Sequence, residues 1–218
     1  RGHFYLKNAV DTHKDQTYFL WMLTEENLSR TIFPLGGLTK SEVRQIALEH
    51  GYTELAQKDE SQEICFIPDN DYRKFLAQEG VKVGAGHYID STGKILGMHQ
   101  GYCHYTIGQR KGLGIGGIQG YSTEPWFVVG KDLQKNQLYV EQGIDNEYLY
   151  SDFCIVKDLN WINETPVVGR EYQAKFRYRE KDNSVVITLL EDNLMHVKFN
   201  HLVRAVTPGQ ACVIYDGE

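Results

Sequence analysis

Cysteine is scarce in this chain: four in 218 residues, at Cys65, Cys103, Cys154 and Cys212, with no Cys-x-x-Cys pair. That scatter argues against a structural zinc site and against the disulfide framework of a small secreted domain, and it suits a reducing, cytosolic setting. Long apolar runs are missing as well. No stretch approaches the roughly 18 residues that a membrane helix needs, and the start lacks a signal peptide's charged-then-apolar layout. Arg1 is not an initiator methionine, so the chain is expected to begin within a longer protein. Positive charge is also in deficit. With 23 Lys and Arg against 29 Asp and Glu, the formal net charge is −6, so any grip on nucleic acid must come from a local patch. Internal repeats and low-complexity segments are absent.

What is present divides by period. The first third reads as helical. Lys14 to Leu23 begins polar and becomes densely apolar, which predicts a helix buried on most sides. Thr39 stands three residues before Glu42, a capping-box spacing, with Val43, Ile46 and Ala47 at helical intervals and Gly51 as a stop. A further short helix is predicted over about 71–78, capped by Asp69 or Asn70 and ended by Gly80. Beyond Gly80, short β-rich runs recur between turn signals, at 87–89, 95–98, 103–107, 126–129, 137–140, 153–156, 172–178, 185–190, 195–199 and 211–215. Asp90-Ser91-Thr92-Gly93 and Lys181-Asp182-Asn183 read as hairpin turns. Many short strands with no intervening helix predict barrel or sandwich modules, with boundaries near Pro68 and near 131–136.

Three stretches bear on chemistry. Cys65 lies in Glu60-Ser61-Gln62-Glu63-Ile64-Cys65-Phe66-Ile67-Pro68, an apolar pocket of sequence bounded by carboxylates. Glu60 and Glu63 alone would raise a thiol pKa, so a reactive Cys65 needs cationic or dipolar help from elsewhere; a buried structural cysteine is the competing reading. The stretch 170–181 carries Arg170, Lys175, Arg177, Arg179 and Lys181 interleaved with Tyr172, Phe176 and Tyr178. It reads as a half-buried strand with a cationic face. Gly112, Gly114 and Gly117 form a literal G-x-G-x-x-G, but the continuation toward Trp126 is strand-like where a dinucleotide motif needs a helix. Arg110 and Lys111 leave phosphate contact open for that loop, beside a plain turn.

Taken in order, several segments resemble the tRNA-specific 2-thiouridylases, the MnmA/TrmU family. They are Lys14-Asp15-Gln16-Thr17-Tyr18-Phe19-Leu20, Phe33-Pro34-Leu35-Gly36, Ser61-Gln62-Glu63-Ile64-Cys65-Phe66-Ile67-Pro68 and Tyr105-Thr106-Ile107-Gly108-Gln109-Arg110-Lys111-Gly112-Leu113-Gly114. Trp126-Phe127-Val128-Val129-Gly130-Lys131, Lys175-Phe176-Arg177-Tyr178-Arg179 and Thr207-Pro208-Gly209-Gln210 continue the series. The resemblance implies an ATP- and Mg²⁺-dependent transfer of sulfur to C2 of the wobble uridine in tRNA. Cys65 matches the cysteine that carries the sulfur as a persulfide. Lys14, Asp15 and Gln16 match one tRNA-contacting segment, Arg177 and Tyr178 a second, and Gln210 a third. The implied partners are tRNA and a sulfur donor, such as a cysteine desulfurase or a sulfur-relay protein.

The family's Ser-Gly-Gly-Val-Asp-Ser phosphate loop, its Asn-Pro-Asp segment and its second cysteine have no match here, nor does its last glycine-rich strand. Gly2-His3-Phe4 resembles the family's Gly-His-Tyr motif but lies too close to Lys14, and reads as the start of a hairpin strand. The fold class expected is α+β and multidomain. Residues 1–67 would end an α/β nucleotide-binding (PP-loop ATPase) domain, 68–134 would form a small central mainly-β domain, and 135–218 a tRNA-binding β-barrel. Such a part, without the ATP loop, is expected to be inactive alone. The alternative from another class is a non-catalytic RNA-binding module; a cysteine hydrolase has no motif around His50, His87, His99 or His104 to support it.

Overall fold

The computed structural model describes residues 2–58, 67, 71–81 and 83–217. Cys65, with the segment 59–66, lies outside the described residues. Among the described residues four short α-helices come first: α1 (Glu25–Ser29), α2 (Lys40–Glu49), α3 (Thr53–Gln57) and α4 (Tyr72–Gln78). Nine strands follow among them: β1 (Gly86–Ile89), β2 (Ile95–His99), β3 (Trp126–Asp132), β4 (Gln137–Gln142), β5 (Tyr150–Lys157), β6 (Glu171–Lys175), β7 (Asn183–Glu191), β8 (Leu194–Arg204) and β9 (Val213–Tyr215). The fold is α+β and multidomain, with two separate sheets. By contacts it forms two units, one of residues 1–60, 152–201 and 209–218, the other of 61–151 and 202–208.

Helix ends follow their local chemistry. Thr39 accepts from the Glu42 N–H at 3.3 Å, and Glu42 Oε2 accepts from the Thr39 N–H at 2.6 Å, so two orphan donors are satisfied reciprocally at the start of α2. Those bonds from Thr39 hold the Glu42 carboxyl below its ordinary pKa. Helix α4 is capped one residue later than its sequence suggests: Asp71 accepts from the Lys74 N–H at 2.9 Å. Helix α2 buries no residue, and Ile46 and Leu48 stay exposed.

The segment Lys14 to Leu23 is a correction to the sequence reading. It forms only one 3₁₀ turn, Thr17–Leu20, and buries Tyr18 alone, while Phe19 is 55% and Met22 68% exposed. Asp15 and Thr17 bond to each other and to the preceding chain, an alternative to helical pairing that stops propagation. Gly2 to Ala9 forms no strand either. Its backbone is satisfied by side chains, with the Phe4 N–H donating to Glu25 and the Phe4 carbonyl accepting from Asn163 Nδ2.

In the first unit the sheet order is β5-β8-β7-β6-β9. Hydrogen bonding leaves β5 and β9 as edges among the described residues. Alternation places Tyr172, Ala174, Val185, Ile187, Met195, Val197 and Phe199 in the core, each buried Val, Ile, Met or Phe side chain contributing about 1.5–3 kcal/mol. The run predicted as one strand over 172–178 breaks at Lys175. Phe176 turns inward onto Phe199, with ring centroids 4.9 Å apart, and Glu180 Oε2 accepts from the Phe176 N–H at 3.0 Å, closing a turn where the ladder would have continued.

In the second unit the order is β2-β1-β4-β3, and β1 pairs with β4 in parallel. The core gathers Tyr88, Tyr105, Leu113, Trp126, Val128, Leu138 and Val140. Residues 131–136 form the tip of the β3–β4 hairpin. The β1–β2 turn is held by Asp90, whose Oδ1 accepts from the N–H groups of Thr92 and Lys94 and whose Oδ2 accepts from the Tyr121 hydroxyl. The run 103–107 is not a strand; Tyr102–His104 makes a 3₁₀ turn that delivers Tyr105 into the core. Gly108 follows at φ 82°, and a Cβ there would meet the Ala205 Cβ at 2.8 Å, so only glycine fits. The glycine-rich loop beyond it leads into β3, with no helix to face a pyrophosphate.

Candidate nucleic-acid interface

Two segments far apart in sequence meet in the first unit to line a cleft of about 650 Å³. One runs from Asn8 to Tyr18 and the other from Lys175 to Asp182. Lys14, Asp15 and Tyr178, singled out from the sequence, all line it. Gln16, Arg177 and Gln210 do not. Thr17, Lys175, Arg179 and Lys181 line it as well and were missed as site residues.

The Asn8–Tyr18 wall is a set of local turns. Asp15 Oδ2 accepts from the Ala9 N–H at 3.0 Å, and Oδ1 accepts from the Thr17 N–H and hydroxyl, both at 2.6 Å. This carboxylate is engaged with its own loop, so its part in the cleft is positional. Asp11 supports the same wall. The Lys40 N–H, helped by those of His13 and Lys14, outweighs desolvation and holds its carboxyl below the ordinary range. Lys14, next along, is exposed at the rim. Gln16 precedes the 3₁₀ turn, is exposed, and makes no capping bond with its side chain.

The opposite wall is the turn after β6. Arg179 sits at φ 64°, a region that residues with a Cβ seldom adopt, and its guanidinium lies 5.2 Å from the Tyr178 ring centroid. Lys175 Nζ is 3.5 Å from Asp182 and 5.3 Å from the centroid of Tyr215. Burial pushes the Tyr215 hydroxyl up to about 12, with the Thr17 side chain opposing.

Aromatic rings join the walls. Phe19 and Tyr178 have centroids 4.5 Å apart, and Tyr18 and Tyr178 6.4 Å. The Tyr18 hydroxyl donates to the Ala211 carbonyl at 3.0 Å. Burial raises the pKa of that hydroxyl, helped by Cys212 and Glu180, while the Arg177 guanidinium opposes the rise. Gln210 is exposed one residue before Ala211, after Gly209 at φ 85°.

Four cations (Lys14, Lys175, Arg179, Lys181) face three carboxylates (Asp15, Glu180, Asp182) in this cleft. The carboxylates are already bonded within their own loops or to Lys175. With four cations against three carboxylates, and Lys175 paired to Asp182, the cleft is slightly cationic in a chain of net charge −6, and it carries aromatic faces. Such a cleft suits a phosphodiester backbone beside unstacked bases. The run Arg179-Glu180-Lys181-Asp182-Asn183, rich in turn formers, was the available signal that the strand ends early and that Arg179 belongs to a tip.

Three family models match consecutive stretches of the chain: a tRNA methyl transferase HUP domain over 1–69, a tRNA methyl transferase PRC-barrel domain over 73–142, and an aminomethyltransferase beta-barrel domain over 151–218. A protein named tRNA-specific 2-thiouridylase MnmA from Staphylococcus carnosus is 48% identical over 218 residues, all of this chain and 57% of its own length. Proteins of the same name from Levilactobacillus brevis and Staphylococcus aureus are 47% and 46% identical over 220 residues, again covering all of this chain and 58% of theirs. The chain thus spans under three-fifths of the length of these curated relatives.

Proposed function

We propose, for a chain that belongs to the MnmA family of tRNA-specific 2-thiouridylases, that the cleft between Lys14 and Tyr178 grips tRNA for 2-thiolation of its wobble uridine. The observation that carries this is the meeting of Lys14, Tyr178 and Arg179 in one cleft from distant parts of the sequence. Lys14 and Arg179 neutralise phosphates, Tyr178 offers a ring to an unstacked base, and Asp15 holds the loop that presents Lys14. Gln16 and Gln210, both exposed, are assigned hydrogen bonds to sugar or base edges outside the cleft. Arg177, adjacent to Tyr178 in the chain, is assigned to the same contact with tRNA.

Cys65 is the residue to which we assign the chemistry, as carrier of a persulfide whose outer sulfur is delivered to C2 of the uridine. A cysteine desulfurase or relay protein supplies that sulfur, and the whole protein works in the cytoplasm. Among the described residues no helix is long and apolar enough to cross a membrane. Among the described residues no group of three His, Cys, Asp or Glu could hold a metal ion, and the glycine-rich loop opens no helix. We assign the use of ATP and Mg²⁺ to the whole protein, and the 218-residue chain is expected to bind tRNA without thiolating it.

The test joins both parts. Whole protein with ATP, Mg²⁺, a persulfide donor and unmodified tRNA is expected to yield 2-thiouridine in nucleoside mass spectrometry, and Cys65→Ala to abolish it. The chain alone, under ultraviolet cross-linking to the same tRNA, is expected to give adducts on the Tyr18–Tyr178 segments. Adducts confined to the second unit would refute the assignment of the cleft.

A further inference from the structure

The three carboxylates of the cleft are held differently. Asp15 accepts from the N–H groups of Ala9 and Thr17, and Glu180 from that of Phe176, so each fastens its own loop. Asp182 accepts from no backbone N–H among the described residues; its carboxylate stands 3.5 Å from the Lys175 ammonium. Ala174 pairs with Asn183 in the β6–β7 hairpin, so Lys175 and Asp182 are the next residues toward its tip, one on each arm. Of the three acids, Asp182 alone can turn away without freeing a backbone donor.

Lys175 likewise differs from the other cations of the cleft. Lys14, Arg179 and Lys181 are exposed, whereas the Lys175 side chain is only 22% exposed, with its ammonium 5.3 Å from the Tyr215 ring centroid. The Asp182 side chain is 51% exposed. A half-buried cation thus has an exposed carboxylate as its counter-ion. Ion pairs with an exposed partner are weak, because water screens them and the side chains give up rotamer freedom to hold them. A phosphate already held nearby by other groups competes at high local concentration, and Asp182 is rehydrated when it leaves.

We propose that Asp182 is a displaceable counter-ion, which occupies Lys175 in the free protein and yields it to a backbone phosphate when tRNA enters the cleft. This rests on the reading of the cleft as a tRNA site, and adds to it a further contact, Lys175, and a residue that sets its strength. Lys14 and Arg179, exposed, meet the backbone first. A neighbouring phosphate of the same strand then takes the place of the Asp182 carboxylate at Lys175. The exchange is governed by charge alone, so the Asp182 carboxylate opposes binding through Lys175 and through no other group of the cleft.

The experiment is a double-mutant cycle on the 218-residue chain, read as affinity for labelled, unmodified tRNA. Asp182→Asn keeps the side chain's size and removes its charge; Lys175→Met keeps an apolar stem beside Tyr215 and removes the ammonium, with Lys175→Gln as its replacement if a thermal melt shows unfolding. Asp182→Asn is expected to tighten binding about five-fold, the scale of an exposed ion pair, and to have no effect in the Lys175→Met background. Lys175→Met alone is expected to weaken binding and to lower the salt slope by about 0.7–0.9. No gain from Asp182→Asn would overturn the proposal. A gain of equal size in both backgrounds would overturn it too, since the loss of general repulsion would then suffice. Lys14→Ala, titrated alongside, separates the two readings. If it weakens binding while Asp182→Asn changes nothing, the cleft stands and the exchange falls; if neither variant has an effect, both fall.

Discussion

The Phe19 and Tyr178 rings meet with centroids 4.5 Å apart and planes inclined by 46°, joining a one-turn 3₁₀ segment to the turn after β6. Neither element has the length to be stable alone, so the ring contact helps hold both walls of the cleft. Tyr178→Ala removes that contact and the ring available to a base. Base stacking is worth about 1–3 kcal/mol, so tRNA affinity is expected to fall by about five- to 150-fold. Tyr178→Phe is expected to bind normally, as measured by fluorescence anisotropy with labelled tRNA.

Arg179 separates charge from backbone strain. At φ 64° a glycine is better accommodated, so Arg179→Gly is expected to leave the melting temperature unchanged or raised. The same variant loses a cation at the cleft, and tRNA affinity is expected to drop. Calorimetry beside a binding titration reads both. A falling melting temperature would mean that the Arg179 contact with Tyr178 outweighs the strain.

Asp15 should behave in the opposite way to Lys14. Its carboxylate accepts three bonds inside its own loop, so Asp15→Ala leaves the donors of Ala9 and Thr17 without it. Stability is expected to fall by about 1–3 kcal/mol, with tRNA binding weakened through disorder of the loop. Lys14→Ala is expected to weaken binding with the melting curve unmoved. Urea titrations of the two variants distinguish positioning from contact.

Asp90 gives the second unit a defined response to acid. Burial raises its pKa, but bonds from Tyr121, Thr92 and the Lys94 N–H outweigh it and leave the carboxyl below its ordinary range. A depressed folded-state pKa means stability that is present above the unfolded value of about 3.9 and is lost as pH falls through the folded one. Asp90→Asn is expected to flatten the pH dependence of unfolding below about pH 4. Tyr121 titrates the other way. The Asp90 bond raises its hydroxyl to about 12, so its contribution is lost as pH rises beyond about 10. Thermal melts across both ranges check the two signs.

Much of the β architecture was legible because alternation is a short-range signal. Val185, Ile187, Met195, Val197 and Phe199 announce their buried face by a period of two. The capping box at Thr39 and the turn at Asp90 were legible for the same reason, since the bonds that close them lie within four residues, whereas the Tyr121 bond to Asp90 was not. Phe19 and Met22 misled, because an apolar run carries no sign of the tertiary contacts that would bury it. The parallel pairing of β1 with β4 and the meeting of Lys14 with Arg179 arise from long-range contacts that no local pattern encodes. Family-specific segments supplied Lys14 and Tyr178 as contacts, while Thr17 and Arg179, present in the same segments, were assigned to the site only by the geometry of the cleft.

The salt dependence of tRNA binding tests the cleft most directly. For the chain and for a Lys14→Ala/Arg179→Gly variant, affinity is measured against salt concentration under otherwise equal conditions. Each lost phosphate contact lowers the slope of log affinity on log salt by about 0.7–0.9, so the double variant is expected to bind more weakly with a slope shallower by about one and a half. Equal affinity and equal slope in the two proteins would contradict the assignment of this cleft to tRNA.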